Sequence, residues 1–336
     1  MRKLVRVVVD TMGGDYAPVE PVKGAVDALK RNNHILVYLV GQRKIIHQEL
    51  SQYIYPKDRL EIVSADEVIE TWEPPVNAIQ RKKNSSLVVG LTMVHKGMAD
   101  AFVSSGNTGA LLVGGQAIVR KVKGVERAPL APLIPTEKSV ALLIDCGATV
   151  NARPSHLVQF AMMGSIYMET IMRVKNPRVA LVNIGAEEEK GNELVKETFL
   201  LLKEKKNINF IGNIEARDIP KGVADVLVTE AFVGNVILKL YEGVGTVLIN
   251  RVKSAMMVSL RSKLCALLLK PVMKQTLKIF DVSEYGGAPL LGLQGGVVKT
   301  HGSAKAVHFK NSILQCIQLK DQDLSGKIQE YFSEKA

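Results

Sequence analysis

The 336-residue chain has only three cysteines, Cys146, Cys265 and Cys316, far apart and odd in number. They form neither a zinc spacing nor a disulfide framework, which fits a reducing compartment. No apolar run approaches the roughly 18 residues of a membrane span. The stretch from Met1 to Asp10 is too short for a signal peptide and reads as a strand. These absences speak against integral membrane and secreted proteins, so a cytoplasmic protein is expected. No Gly-Lys-Ser/Thr closes a glycine loop and no Gly-x-Gly-x-x-Gly opens a helix. A Walker loop and a dinucleotide turn are thus both missing, which disfavours a nicotinamide dehydrogenase. There is no internal repeat, low-complexity tract or flexible linker. One α/β unit over residues 1–336 is expected, with room for two interwoven lobes but no clean cut between them.

What the chain has in plenty is positive charge, 44 Lys+Arg against 33 Asp+Glu for a net +11. That excess raises nucleic acid, an anionic membrane surface or an acidic protein as partners. It is not evenly spread. Residues 248–280 contain no Asp or Glu but seven cations: Arg251, Lys253, Arg261, Lys263, Lys270, Lys274 and Lys278. The remaining 303 residues therefore carry only a net +4. Apolar residues in the same stretch, among them Val252, Met256, Leu260, Leu264 and Leu268, recur at helical spacing. This is a basic amphipathic helical segment, with Pro271 expected to split or kink it. Its candidate contacts are Arg261, Lys263, Leu264, Leu268 and Lys270, facing an anionic membrane, an acidic partner or a second copy of the chain. Aromatic residues at 5 %, with no nucleic-acid-binding motif, argue against nucleic acid.

The rest alternates apolar strand, glycine-rich polar turn and helix. Strands are expected at 4–10, 35–41, 60–64, 100–104, 139–145, 178–183, 209–212 and 225–229. Helices are expected at 21–31, 109–121, 157–172 and 193–206, with a last one opening near Ser303. Continuous β-branched runs such as Val5-Arg6-Val7-Val8-Val9 suit strands buried on both faces. The alternation means parallel βαβ units in a three-layer α/β protein.

Ligands of such sheets bind beyond the carboxyl ends of the strands, so the residues just after each strand are the site candidates. Ser104-Ser105-Gly106-Asn107-Thr108-Gly109 is the best anion turn, its glycines letting backbone approach a phosphate. The plainer alternative is an N-cap with a glycine turn. Asp10, Gly13, Gly14 and Asp15 follow the first strand. The two acids could hold a metal or position a nucleophile, or Asp15 could simply cap the next helix. Glu187–Glu189 suit a helix N-terminus, where Lys190 works against the dipole unless it faces an anionic ligand. His301 is either a general acid/base or a structural hydrogen-bonder. Cys146 reads as a small buried residue.

Taken together, these turns resemble the bacterial phosphate acyltransferase family of phospholipid synthesis. The likeness runs through Asp10–Asp15, Ser104–Ala110, His156–Tyr167, Asn183–Glu193, Phe210–Asp218, Phe232–Val236, Tyr285–Gly292 and His301–Ser303, in order along nearly the whole chain. Thr11, Ser105, Ala216 and Glu230-Ala231 depart from the usual pattern, and Glu230 keeps a carboxylate while lengthening its reach. The resemblance implies transfer of an acyl group from acyl carrier protein to inorganic phosphate, with no cofactor and no metal. It also implies a homodimer, a fold like isocitrate/isopropylmalate dehydrogenases and phosphotransacetylases, and hand-over of the product to a membrane glycerol-3-phosphate acyltransferase. For that reaction Ser105, Gly106, Asn107 and Thr108 are expected to hold phosphate and Lys190 to offset its charge. Asn183 or Asn235 is expected to donate to the thioester oxygen. A phosphotransacetylase using acyl-coenzyme A is the nearest alternative.

Overall fold

Alternating β-branched runs and amphipathic stretches build two mostly parallel sheets, in a computed structural model that describes residues 4–278 and 282–333. In chain order the first elements are β1 (Val5–Asp10), α1 (Val19–Arg31), β2 (Ile35–Gly41), α2 (Arg43–Leu50) and β3 (Leu60–Ser64). They are followed by α3 (Pro75–Arg81), α4 (Ser86–His95), β4 (Ala101–Ser104) and α5 (Thr108–Gly114). Then come β5 (Leu133–Pro135), β6 (Val140–Ile144), α6 (Pro154–Thr170), β7 (Arg178–Asn183), α7 (Glu193–Lys203), β8 (Asn209–Glu215) and β9 (Val226–Val228). Two long helices, α8 (Ala231–Met256) and α9 (Leu260–Lys278), precede β10 (Ala288–Pro289), β11 (Gly296–Lys299), α10 (Ala306–Asp321) and α11 (Leu324–Ser333). One unit draws on Met1–Pro132, Met162–Asn176 and Ser283–Ala336, the other on Leu133–Ala161 and Pro177–Val282. The chain crosses between them four times, and one crossing, Ala161 to Met162, falls inside the continuous helix α6, where no linker marks it in the sequence.

In the first unit the sheet order is β10-β11-β4-β1-β2-β3, parallel apart from the β10–β11 edge. The chain moves outward from β1 through β2 to β3, then returns to place β4 on the other side of β1. That reversal makes the carboxyl ends of β1 and β4 the switch point of the sheet, the place where ligands of such sheets bind. Val7, Val8, Val9 and Phe102 are fully buried, as strands covered on both faces require. At the opposite end, Arg6 clamps the residue before β4. Its backbone N–H and Nε donate to Asp100 Oδ2 at 2.8 and 3.1 Å, and Nη2 donates to Oδ1 at 3.2 Å. Burial raises the Asp100 pKa, but the hydrogen bonds and charge of Arg6 outweigh it and hold the carboxyl below its ordinary value.

The second unit has the order β5-β6-β9-β7-β8, again parallel but for its β5–β6 edge. It repeats the clamp: Arg178 binds Asp225 through its backbone N–H (2.8 Å), Nε (3.0 Å) and Nη2 (2.8 Å). Here too burial raises the carboxyl and the arginine lowers it further, for a net downward shift. The core gathers Ile134, Leu143, Ala180, Ile214 and Leu227, with Ile237, Leu238 and Tyr241 of α8 packed on it. The Tyr241 hydroxyl donates to Pro135 O at 2.7 Å.

The short strands β5, β10 and β11 were not expected. Runs of two to four residues carry no pattern, and the prolines Pro135 and Pro289 confine two of them to edges. A larger correction concerns the cationic segment. Its helix does not start near Leu248 but at Ala231, and it breaks at Met257–Ser259 rather than at Pro271, which lies within α9. Ser259 makes the break: its hydroxyl accepts the Ser262 N–H at 3.1 Å and caps α9. Ile279 and Phe280, the end of the expected segment, lie outside the described residues, as do the side chains of Lys274 and Lys278. By length and composition α8 is also long and apolar enough to cross a membrane. No continuous apolar run marks it in the sequence, because Lys239, Glu242, Arg251 and Lys253 break the stretch up.

Candidate active site

Three turns of the first unit interlock beyond β1, β4 and β11. Asp10, 2 % exposed at the end of β1, accepts the Met12 and Gly13 N–H groups on Oδ1 at 3.0 and 3.2 Å. Its Oδ2 takes the Ser104 hydroxyl at 2.7 Å, and Ser104 Oγ in turn accepts the Gly106 N–H at 3.0 Å. The Ser105 hydroxyl donates to Gly13 O at 2.7 Å, and the Asp15 N–H donates to Gly302 O at 2.8 Å. The glycines are needed for this closeness. A Cβ on Gly13 would lie 2.6 Å from Asp10 Oδ2 and 2.7 Å from the Gly106 backbone. One on Gly14 (φ +94°) would lie 2.2 Å from Ser105 Oγ. Asp10, Gly13, Gly14, Asp15, Ser105, Gly106, Asn107 and His301, all singled out in the sequence, thus fall within one cluster of turns.

Their side chains are less free than the sequence suggested. Asn107 Oδ1 accepts the Ala110 N–H at 2.9 Å and caps α5, so the plainer alternative describes this side chain correctly. Its amide nitrogen donates to the carbonyls of Glu70, Thr71 and Glu73 at 2.9, 3.2 and 3.1 Å. Ser105 and Asn107 are 2 % and 6 % exposed, and their polar side-chain atoms are committed within the protein. Any anion at this turn is left to main-chain N–H groups and to Thr108, which is exposed. Asp10 is likewise a turn-former rather than a metal ligand; among the described residues no three His, Cys, Asp or Glu side chains gather as a metal site. Asp15 does not cap α1, whose N-cap position is Pro18. Its backbone is drawn instead to Gly302, and its carboxylate is exposed. His301 is exposed too, and its Nδ1 accepts the Ser303 N–H at 3.2 Å, which puts the proton of the neutral ring on Nε2.

The second unit places its candidates differently. Asn183 ends β7, its amide donating to Lys190 O at 3.1 Å and its oxygen accepting the Ile184 N–H at 2.8 Å. It folds the 184–190 loop back on itself with its oxygen and one of its two amide N–H groups, which leaves the second N–H as a donor. Lys190 is the exposed product of that loop, its stem lying over Gly185. The acidic trio does not sit at a helix N-terminus: α7 begins at Glu193 behind its N-cap Asn192, and Glu188 pairs with Lys203 at 2.7 Å. Glu230 is spent as a cap, its carboxylate accepting the Phe232 and Val233 N–H groups at 2.6 and 2.8 Å. With Ala231 N–H on Thr149 O and Gly234 N–H on Glu230 O, the first turn of α8 has no donor to spare. Asn235, one turn along, is exposed. Cys146 is 2 % exposed, and burial followed by the Asp145 charge pushes its thiol well above the ordinary range, so it is no thiolate nucleophile.

Lys299 was missed. It ends β11 opposite Ser104 in register and is 9 % exposed. Its signal in the sequence is slight, a lysine directly after the apolar pair Val297-Val298.

Comparison with known proteins agrees with this architecture. A family model described as "Fatty acid synthesis protein" matches residues 5–327. A relative from Clostridium novyi named phosphate acyltransferase is 47 % identical over 331 residues, covering 98 % of this chain and 99 % of its own. One of the same name from Clostridium beijerinckii is 47 % identical over 330 residues, again covering 98 % and 99 %. Among solved structures, a phosphotransacetylase from Streptococcus pyogenes superposes with TM-score 0.63 at 16 % identity, covering 94 % of each chain. A phosphotransacetylase from Staphylococcus aureus gives 0.58 at 14 %, covering 95 % of this chain and 94 % of its own. The last two bear on the fold alone, which is phosphotransacetylase-like.

Proposed function

The chain belongs to the fatty acid synthesis protein family, and on that footing we propose that it moves a long-chain fatty acyl group from acyl carrier protein to inorganic phosphate. The product is an acyl phosphate for phospholipid synthesis. The observation that supports this most is the interlocked turn cluster at the sheet's switch point, in a chain matched end to end by relatives named phosphate acyltransferase.

Phosphate is already an anionic nucleophile at pH 7 and needs no strong base. One of its oxygens attacks the thioester carbonyl carbon, forming a P–O–C bond and a tetrahedral oxyanion. Collapse of that oxyanion breaks the C–S bond, and the carrier leaves as a thiol with the proton that phosphate gives up. The equation balances without a cofactor. Main-chain N–H groups of the 105–108 turn other than that of Gly106, which is given to Ser104 Oγ, and the Thr108 hydroxyl hold the phosphate. Lys190 offsets anionic charge, and Asn183 or Asn235 donates to the oxyanion. Asn183 also shapes the Lys190 loop.

The long helices fit two partners. On α8, Phe232, Val236, Leu240, Val244 and Val247 are 46–65 % exposed along a stripe of near-four-residue spacing, suited to a second copy of the chain. On α9, Leu260, Leu264, Leu267 and Leu268 are 62–85 % exposed among Arg261, Lys263 and Lys270, suited to an anionic bilayer. Peripheral attachment there would release an acyl phosphate where a membrane glycerol-3-phosphate acyltransferase can take it.

Phosphate-dependent release of free carrier protein from palmitoyl-carrier protein tests the reaction. Turnover with palmitoyl-coenzyme A at an equal or higher kcat/KM would instead favour the coenzyme A donor. Flotation with anionic vesicles tests the surface: a Leu264→Glu, Leu268→Glu variant is expected to stay unbound, and undiminished flotation would remove α9 from the account.

A further inference from the structure

Lys299 is a buried cation that the assigned chemistry does not use. Its Nζ donates to Ser105 O at 3.3 Å and, in a shorter bond, to Thr300 O. Those carbonyls belong to the two turns that leave β4 and β11 side by side, so one ammonium ties both together. The Ser105–Gly106 peptide is also held from its other side. Its N–H donates to Ser104 Oγ, whose hydroxyl donates to Asp10 Oδ2. A continuous chain results, running from the Lys299 ammonium through the 105–106 peptide and the Ser104 hydroxyl to the Asp10 carboxylate. Each member is 9 % exposed or less, where hydrogen bonds polarise one another and a lost member is costly. The Thr300 hydroxyl, in a residue 3 % exposed, is a buried polar atom beside this junction without a hydrogen-bond partner.

We propose that Lys299 is a positioning residue for phosphate, acting through the Ser105–Gly106 peptide whose plane it fixes against Ser104 and Asp10. The proposal rests on the assignment of phosphate to the 105–108 turn. With the side chains of Ser105 and Asn107 already committed, main-chain orientation is what this turn has to offer an anion. A peptide pinned by a positive charge at its carbonyl and, through a hydroxyl, by a negative charge at its N–H cannot rotate.

The test uses the full chain and varies the two substrates separately. Lys299→Met and Ser104→Ala, cutting the chain at opposite ends, are each expected to raise KM for phosphate by about tenfold, the loss of one charge-assisted hydrogen bond. KM for palmitoyl-carrier protein should move less than about twofold. The double variant should be no worse than the more impaired single one, because both cut the same chain. Phosphate should raise the unfolding midpoint of the wild-type chain and fail to do so in Lys299→Met. If phosphate protects the wild type and Lys299→Met equally, or if both KM values rise together, the positioning role is wrong while the phosphate assignment stands. If phosphate protects neither and the wild type forms no acyl phosphate, the assignment itself falls, and the proposal with it. Should Lys299→Met fail to fold, Ser104→Ala decides alone: an unchanged KM for phosphate overturns the proposal.

Discussion

The two units are built on the same plan and finish it in opposite ways. Each is a mostly parallel sheet of similar strand logic, and each is closed at its amino end by an arginine forked onto an aspartate, Arg6 on Asp100 and Arg178 on Asp225. At the carboxyl end they diverge. The first unit buries its polar turns and ties them to one another, with Asp10, Ser104, Ser105, Asn107 and Lys299 all at 9 % exposure or less. The second unit spends Asn183 and Glu230 on local closure, leaves Lys190 and Asn235 exposed, and carries two long helices on which many apolar side chains are exposed. The difference separates preorganisation from engagement. A small anion such as phosphate is best met by fixed main-chain donors. A large acylated partner or a lipid surface is met by exposed charge and apolar area.

The largest expected effect lies in the second unit. Lys190→Ala should lower acyl-phosphate formation by about a thousandfold and leave the unfolding midpoint unchanged, because the ammonium is exposed; near-normal turnover removes the role. Gly13→Ala should do the reverse in kind. Its added Cβ meets the Gly106 backbone and Asp10, so a stability loss of about 1–3 kcal/mol by denaturant melt should accompany the lost activity. A variant that is fully stable and fully active would show that the turns are not interlocked.

Next come the two asparagines. Asn107→Ala leaves three loop carbonyls and a helix N–H without their partner, for an expected loss of about 2–3 kcal/mol. Asn183→Ala removes two bonds on a looser loop, for about 1 kcal/mol. Equal losses would erase the contrast between the units.

The smallest difference concerns the shared clamps. Both aspartates have folded-state pKa values below the ordinary one, so each adds stability above about pH 4. That stability is lost as pH falls through the folded values. Asp100→Asn should flatten the acid side of the stability profile more than Asp225→Asn. The reason is exposure: the Arg6–Asp100 side chains are 25 % and 11 % exposed, against 38 % and 19 % for Arg178–Asp225. The opposite order, read from melts between pH 3 and 7, would contradict the burial argument.

Much of this was legible in the amino-acid order. The long central strands are continuous β-branched runs, and 35–41, 60–64 and 178–183 fall where the pattern puts them. The turns that cluster in the first unit could be picked out because strand ends in α/β sheets are where ligands bind. What a strand-end turn does with its side chains was not legible. Whether Asn107 faces a ligand or three carbonyls of a loop some 35 residues earlier depends on a long-range contact. Glu230 reads as a free acid until α8 is seen to start directly behind it. Lys299 escaped notice because its partners are backbone carbonyls, which leave no mark on sequence.

The claim at the centre is that phosphate, not water, takes the acyl group. A single turnover with palmitoyl-carrier protein and 32P-labelled phosphate should yield one labelled palmitoyl phosphate for each carrier thiol released. Thiol release that leaves the label entirely in inorganic phosphate would mean hydrolysis, and would contradict the account.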